Sequence, residues 1–118
     1  MSLTAASVQR MLSMRIGPFD ALVPQTRRER AQGLLGRTEL AHNQALLLER
    51  CRSVHTFGMR FPIDAVLLDR AWLVVSVVRL APGRLLLPRP RVRHVLEVAA
   101  GAGPRPGSQL NPRPAALA

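Results

Sequence analysis

The sequence predicts an α+β domain in which strands dominate and one short helix lies near the N-terminus. Two observations carry this prediction: the apolar runs have the length of strands, and a single strong helix-start signal occurs. The chain has 118 residues, of which 47% are hydrophobic. This length suits one domain, and the hydrophobic fraction excludes a wholly disordered chain.

The helix signal is the segment Thr26-Arg27-Arg28-Glu29. A threonine followed three residues later by a glutamate is a capping box, in which each side chain binds an amide of the first helical turn. We expect the helix to continue through Leu34 and Leu35 and to end at Gly36, because glycine tolerates the left-handed conformation found there.

Four apolar segments predict strands. Residues 46–48 form a brief apolar run, and residues 63–68 and 72–78 form two longer runs that a short turn would join into a hairpin. The continuous apolar character of this hairpin predicts that both of its faces are covered. Residues 92–98 alternate, with Arg93, Val95 and Glu97 on one face, which predicts a half-buried strand.

Glycine and proline set the expected domain boundaries. Pro82, Pro88 and Pro90 argue against a central strand between the hairpin and the last predicted strand. Glycine and proline recur after residue 100, as expected of a flexible segment. The predicted organisation is a flexible N-terminus over residues 1–13, a single domain over residues 14–110 and a flexible tail over residues 111–118.

Charge and cysteine content limit the expected setting. The net charge is +10, from 17 basic and 7 acidic residues, and every basic residue is an arginine. The lone cysteine, Cys51, excludes an internal disulfide. No apolar run reaches the roughly 18 residues that a membrane span needs, and no signal-peptide pattern is present. We therefore expect a cytoplasmic protein.

Three blocks resemble a known family in their order and spacing. They are ERAQGLLGR at residues 29–37, SVHTFGMRFPID at residues 53–64 and VLEVAAG at residues 95–101. Together they resemble domain-of-unknown-function family 192 of bacteria and archaea, over residues 14–110. The resemblance implies a compact, β-rich α+β domain that is partly barrel-like. It implies no established activity.

The second block and the end of the first supply the candidate binding residues. These are Arg37, His55, Thr56, Met59, Arg60 and Asp64. A neutral imidazole can serve as a general base near pH 7, so an enzyme that uses His55 and Asp64 as an acid/base pair is one alternative. The structural alternative pairs Asp64 with Arg37 or Arg60, because a buried carboxylate needs a partner.

No complete catalytic or cofactor motif accompanies these residues. The sequence has no glycine elbow around a nucleophile, no oxyanion-hole motif and no glycine-rich phosphate loop. The spacing of His42, Cys51, His55 and Met59 does not match that of a blue-copper site. We therefore expect no metal and no cofactor, and we favour a small non-catalytic binding or accessory module with a groove near residues 53–64.

A second candidate site is a run of arginines. Arg84, Arg89, Arg91 and Arg93 lie within ten residues, and guanidinium groups bind phosphate in a bidentate manner. The predicted partners are a small anionic ligand or a protein. Nucleic acid is an alternative, although the three Phe and one Trp residues give few stacking platforms. We favour an ordinary solvated surface as the explanation of these arginines, with anion binding as the secondary interpretation.

Overall fold

The computed structural model describes residues 12–114, and residues 1–11 and 115–118 lie outside it. Strands dominate this part of the chain, as the sequence predicts. The elements are β1 (Leu12–Ile16), β2 (Phe19–Val23), α1 (Arg27–Gln32), β3 (Gln44–Leu48), β4 (Val54–His55), β5 (Ile63–Leu68), β6 (Val74–Leu80), β7 (Leu85–Leu86), β8 (His94–Ala99) and β9 (Pro112–Pro114). The α+β label is therefore roughly right for a strand-rich domain with few helices.

Seven strands form one sheet, in the order β6-β5-β8-β3-β2-β1-β9, while β4 and β7 form a separate two-stranded sheet. The pair β2 and β3 is parallel, and the other pairs are antiparallel. A parallel pair needs a crossover connection, and the segment that contains α1 supplies it. This connection brings α1 and the turn that follows it over one face of the sheet.

The sheet is not closed into a barrel, which corrects the barrel-like character that the family resemblance implies. Its edge strands are β6 and β9, which do not pair with each other as strands. An isolated bridge between Leu73 and Gln109 ties the segment before β9 to the start of β6. The sheet therefore curls towards closure without completing it.

The first and last strands of the described chain include residues outside the predicted domain limits of 14–110. Leu12 pairs with Val23 in the β1–β2 hairpin, and Pro112 and Pro114 of β9 pair with β1. Proline lacks an amide donor, and an edge strand tolerates that loss. The structure thus places residues 112–114 of the predicted tail in a strand, and residues 1–11 of the predicted flexible N-terminus lie outside the described part.

The helix begins where the sequence predicts and ends earlier. The capping box is confirmed: the Glu29 amide donates to Thr26 Oγ1 at 3.0 Å, and the Thr26 amide donates to the Glu29 carboxylate at 3.3 Å. The helix ends at Gln32 because Gly33 adopts a φ of 43° and turns the chain towards the sheet. Leu34, which we placed in the helix, is buried just beyond it. In residues 12–114 no helix has the length and apolar character to cross a membrane.

The predicted hairpin is confirmed as β5 and β6. Strand β5 is buried on both faces, as expected, but β6 is an edge strand whose middle residues are half-exposed. Its turn lacks glycine, and Trp72 takes a φ of 65° instead. The Asp69 carboxylate accepts hydrogen bonds from the amides of Ala71 and Leu73 at 2.8 and 3.0 Å, which holds this turn.

The sheet has two buried faces. The pocket face, which includes Leu46, Ala65 and Val95, packs against the turn after α1 and against β4 and β7. The inner face, which includes Val66 and Leu96, packs against β1 and β2. Strand β8 lies between β5 and β3 and is buried throughout, which corrects the prediction of a half-buried strand. As a result, the side chain of Glu97 lies in the protein interior.

Candidate functional site

A pocket of about 160 Å³ opens on the pocket face, between the turn after α1 and the segment that leads into and past β4. Most of its lining is apolar. Leu34, Leu35, Leu48, Val54 and Met59 are among the lining residues, together with the ring of Phe57. Glu97 also lines this pocket, and it is the one acidic residue among the described residues that do so. An apolar pocket with a few convergent polar groups is the usual form of a small-ligand site.

Glu97 reaches the pocket because of its register in the sheet. It pairs with Leu46 of β3 on one side and with Ala65 of β5 on the other. Side chains alternate along a strand, so Glu97 lies on the same face as Val95. The small Ala65 side chain leaves room beside the carboxyl group. Glu97 is only 5% exposed, in the middle of a seven-stranded sheet.

Burial raises the pKa of Glu97 to about 7. The cause is desolvation, since a charged carboxylate loses the water that stabilises it when it enters an apolar interior. Both protonation states are therefore populated at neutral pH. The group can accept a hydrogen bond in either state, and it can donate one when protonated.

The rim of the pocket carries His55 and Phe57. Their rings stack with centroids 5.1 Å apart and an interplanar angle of 20°. The Phe57 amide donates to Nδ1 of His55 at 3.3 Å, so the neutral imidazole carries its proton on Nε2. Phe57 is 51% exposed, which is unusual for a large apolar ring and leaves it accessible at the pocket mouth.

Two features on the same side hold the pocket wall in place. The Cys51 thiol donates to the Ser53 carbonyl at 2.9 Å, so this lining residue is committed to a local hydrogen bond. Gly58 has a φ of 81°, and a Cβ atom there would lie 3.2 Å from Cδ2 of Leu35. A glycine at this position therefore allows the segment after β4 to approach the turn after α1 closely.

Residues 9–109 match the model of family DUF192, described as an uncharacterized family. The chain belongs to the DUF192 family. This result confirms the resemblance carried by the three sequence blocks.

Relatives of this DUF192 chain are uncharacterised as well. It is 40% identical over 53 residues to the UPF0127 protein PH1112 of Pyrococcus horikoshii. The match covers 45% of this chain and 42% of that protein, so the chain spans less than half the length of the curated relative it matches.

Two solved structures share the fold at 19% sequence identity. One is a protein of unknown function from Novosphingobium aromaticivorans, with a TM-score of 0.71 over 86% of this chain and 84% of that chain. The other is a Sinorhizobium meliloti protein described as a "putative transcription regulator", with a TM-score of 0.73 over 95% and 96%. At this identity the likeness concerns the fold alone.

The DUF192 structure brings some of the sequence-predicted site residues together. His55 and Met59 both line the pocket. Thr56 lies between them but its side chain is buried elsewhere: its Oγ1 donates to the Ala81 carbonyl at 2.6 Å and accepts from the Arg84 amide at 2.8 Å. The hydroxyl of Thr56 therefore joins β4 to the loop before β7.

Three of the predicted site residues lie outside the pocket lining: Arg37, Arg60 and Asp64. The Asp64 carboxylate accepts from Arg79 Nε at 2.5 Å and from the amides of Gly101 and Gly103 at 2.9 and 3.2 Å. The expected arginine partner of Asp64 is thus Arg79 rather than Arg37 or Arg60. Asp64 fixes the turn after β8 and does not meet His55 in one pocket.

The four arginines predicted to bind anions do not form one cluster. Arg91 and Arg93 line a separate open cleft, in which Arg50, Arg52 and Arg70 also lie. The guanidinium of Arg89 contacts the Ser76 hydroxyl at 3.4 Å, and Arg84 is absent from that cleft. The arginines that line this cleft therefore come from three different parts of the chain, and of the predicted set they include Arg91 and Arg93.

His94 forms part of the wall of this second cleft. Its ring stacks on Trp72 with centroids 4.0 Å apart and an interplanar angle of 2°. Nδ1 of His94 accepts a hydrogen bond from the Arg50 amide at 3.0 Å. Burial is the main cause that lowers the pKa of His94, so the ring is neutral in the folded protein near neutral pH.

Sequence reasoning missed Glu97. Its signal was present: an acidic residue interrupts the apolar run of the third family block. We assigned that residue to the exposed face of a half-buried strand, because an alternating pattern is typical of such strands. Glu97 is buried because β8 lies between β3 and β5 and because the turn after α1 and the segment around β4 surround the pocket that it lines. No cluster of His, Cys, Asp and Glu residues within 12–114 could hold a metal ion.

Proposed function

We propose that this DUF192 domain is a binding module that takes a small ligand, or a partner side chain, into the pocket above Glu97. The observation that carries the proposal is a carboxyl group buried in a central strand and lining an otherwise largely apolar pocket. Burying a carboxyl group costs free energy that the fold alone would avoid with an apolar residue. The pocket includes His55 and Met59 from the segment that the sequence predicts as the groove.

The chemistry of the lining favours an apolar body that carries a nitrogen donor. The leucine, valine and methionine side chains offer contacts for the body, and the Glu97 carboxyl accepts the N–H group. A pocket of 160 Å³ has about the volume of cavities that hold a benzene ring. An ammonium group stabilises the ionised form of Glu97, so binding lowers its raised pKa.

The probe for this proposal is benzylamine, an aromatic ring with one amine. Its binding is followed by NMR through the resonances of Gly33, Met59 and Glu97, at a pH above the pKa of Glu97. A hydrogen bond between charged groups contributes about 1.5–3 kcal/mol. We therefore expect Glu97→Gln to weaken benzylamine binding by roughly tenfold to a hundredfold.

Toluene is the matched control ligand, because it has the same ring and no nitrogen donor. Its weaker binding should be equal in the wild-type protein and in Glu97→Gln. The proposal fails if millimolar benzylamine leaves the pocket resonances unmoved. It also fails if the substitution leaves benzylamine affinity unchanged, since the carboxyl group would then play no part in recognition.

We also propose a cytoplasmic setting for the protein. The thiol of Cys51, which donates a hydrogen bond to the Ser53 carbonyl, supports a reducing compartment. Isolation of the native protein under conditions that block thiol exchange, followed by mass analysis of Cys51, tests this. A free thiol is the expected form, and a mixed disulfide would contradict the proposal.

A further inference from the structure

The second cleft is a basic concavity formed by three separate segments. Arg50 and Arg52 come from the loop between β3 and β4, Arg70 comes from the β5–β6 turn, and Arg91 and Arg93 come from the approach to β8. Backbone contacts join these segments: the Arg93 amide donates to the Leu68 carbonyl at 2.7 Å, and the Arg50 amide donates to His94 at 3.0 Å. The backbones of the three segments are therefore held together, and the five exposed arginine side chains project from them around one cleft.

Little in the described chain neutralises these charges. The salt bridges within residues 12–114 are Arg15–Asp20 and Arg79–Asp64, and neither involves an arginine of the cleft. Glu49 is the acidic residue among the cleft lining. Five like charges around one concavity repel one another, and an anion bound between them would relieve that repulsion.

The backbone supplies an independent observation. Within the described residues, the non-glycine positions with positive φ are Arg50 at 50°, Trp72 at 65° and Arg91 at 70°. Arg50 and Arg91 line the cleft, and Trp72 stacks on His94 in its wall. Glycine would adopt this conformation without strain, yet arginine occupies two of the three positions. Strained backbone that carries a functional side chain is typical of binding sites.

We propose that this cleft binds a small anion that carries two or more adjacent phosphate groups. Guanidinium groups bind phosphate oxygens in pairs, so several arginines converging from different segments suit several adjacent phosphates. The cleft has a volume of about 660 Å³, which lies in the range of small-ligand sites. One face of the Trp72 ring is covered by His94, which leaves a single aromatic face at the cleft for stacking a nucleic-acid base.

Inorganic pyrophosphate is the probe, and its binding is measured by calorimetry at low salt. The test variant is Arg50→Gly/Arg91→Gly, which removes two charges and at the same time relieves two strained positions. We expect pyrophosphate affinity to fall at least tenfold while the melting temperature stays equal to or above that of the wild type. Loss of binding without loss of stability separates a ligand site from a structural role.

The matched control is Arg27→Gln/Arg28→Gln, which removes the same charge from two exposed residues of α1. It should bind pyrophosphate as the wild type does. The proposal is overturned if the wild type does not bind pyrophosphate, or if the control loses as much affinity as the test variant. A short single-stranded RNA that binds far more tightly than pyrophosphate, and equally well to both variants, would also overturn it in favour of a general nucleic-acid surface.

Discussion

Asp64 and Glu97 lie on neighbouring strands of the same sheet, are equally buried at 5% exposure, and have opposite surroundings. Asp64 is directed to the inner face, where two backbone amides and Arg79 bind its oxygens. Glu97 is directed to the pocket face, where burial raises its pKa to about 7. The Asp64 carboxyl group is bound by groups of the fold, whereas the Glu97 carboxyl group lines a pocket.

The difference shows that burial by itself does not decide what an acidic residue does. Asp64 sits at the start of β5, close to the turn after β8, and that turn offers amide donors at Gly101 and Gly103. A Cβ atom at Gly103 would lie 2.6 Å from Val77, so glycine is what allows the turn to approach Asp64. Glu97 sits in mid-strand, where the neighbouring backbone groups belong to the sheet ladder.

The largest expected effect concerns Asp64, whose carboxyl group is bound by two backbone amides and Arg79. Asp64→Ala removes the acceptor of the Gly101 and Gly103 amides and the partner of Arg79. We expect the free energy of unfolding to fall by roughly 3 kcal/mol, measured by urea denaturation, because each hydrogen bond to a charged group contributes about 1.5–3 kcal/mol. Asp20→Ala is the matched control, because Asp20 also pairs with an arginine but its side chain is 57% exposed. That variant should lose less than about 1 kcal/mol, and an equal loss in both would contradict the anchoring role.

A smaller effect concerns Glu97, whose substitution is expected to raise the free energy of unfolding at high pH. The folded state holds the Glu97 proton up to about pH 7, whereas its ordinary pKa is 4.5. Stability therefore falls as pH rises through this window, by about 2–3 kcal/mol between about pH 5 and pH 8. Glu97→Gln should lack this fall and so gain stability relative to the wild type at the higher pH.

The control for this pH dependence is Glu39→Gln, which changes an exposed glutamate. It should keep the wild-type fall in the free energy of unfolding. If Glu97→Gln and Glu39→Gln show the same pH profile, Glu97 is not the group responsible. Urea denaturation at a series of pH values supplies the measurement for all three proteins.

The smallest effect concerns α1 and the turn that follows it, which lie over the pocket face of the sheet. Thr26→Ala/Glu29→Ala removes both halves of the capping box, and we expect a loss of roughly 1–2 kcal/mol. Hydrogen exchange should quicken in α1 and in the turn that follows it, while the amides of Gly101 and Gly103 stay protected. Arg28→Ala is the control in the same helix and should change exchange little. Equal quickening on both faces would mean that α1 does not cover the pocket face selectively.

Local signals predicted the elements that depend on neighbouring residues in the sequence. The capping box at Thr26 needs four neighbouring residues and no knowledge of the rest of the chain, and it is confirmed. The β5–β6 hairpin likewise joins neighbours in sequence. The end of α1 was predicted three residues too late, since Gly33 rather than Gly36 turns the chain once Leu34 packs against the sheet.

The site depended on contacts between distant segments, which a single sequence does not reveal. The second block drew attention to His55 and Met59, and both line the pocket. Glu97 was missed because its surroundings come from distant parts of the chain: β3 and β5 flank it, and the turn after α1 lines the same pocket. The grouping of arginines in the basic cleft was not predicted for the same reason: Arg50 and Arg70 lie near Arg91 through the pairing of β5 with β8 and the contact of Arg50 with His94.

We propose that Glu97 is a buried carboxyl group at the base of a ligand pocket. The most direct test is an NMR titration of its side-chain carboxyl carbon in the wild-type protein, assigned by comparison with Glu97→Gln. The account predicts a midpoint at about pH 7. A midpoint near the ordinary value of 4.5 would contradict it, because Glu97 would then be as well stabilised in its charged form as a glutamate in water.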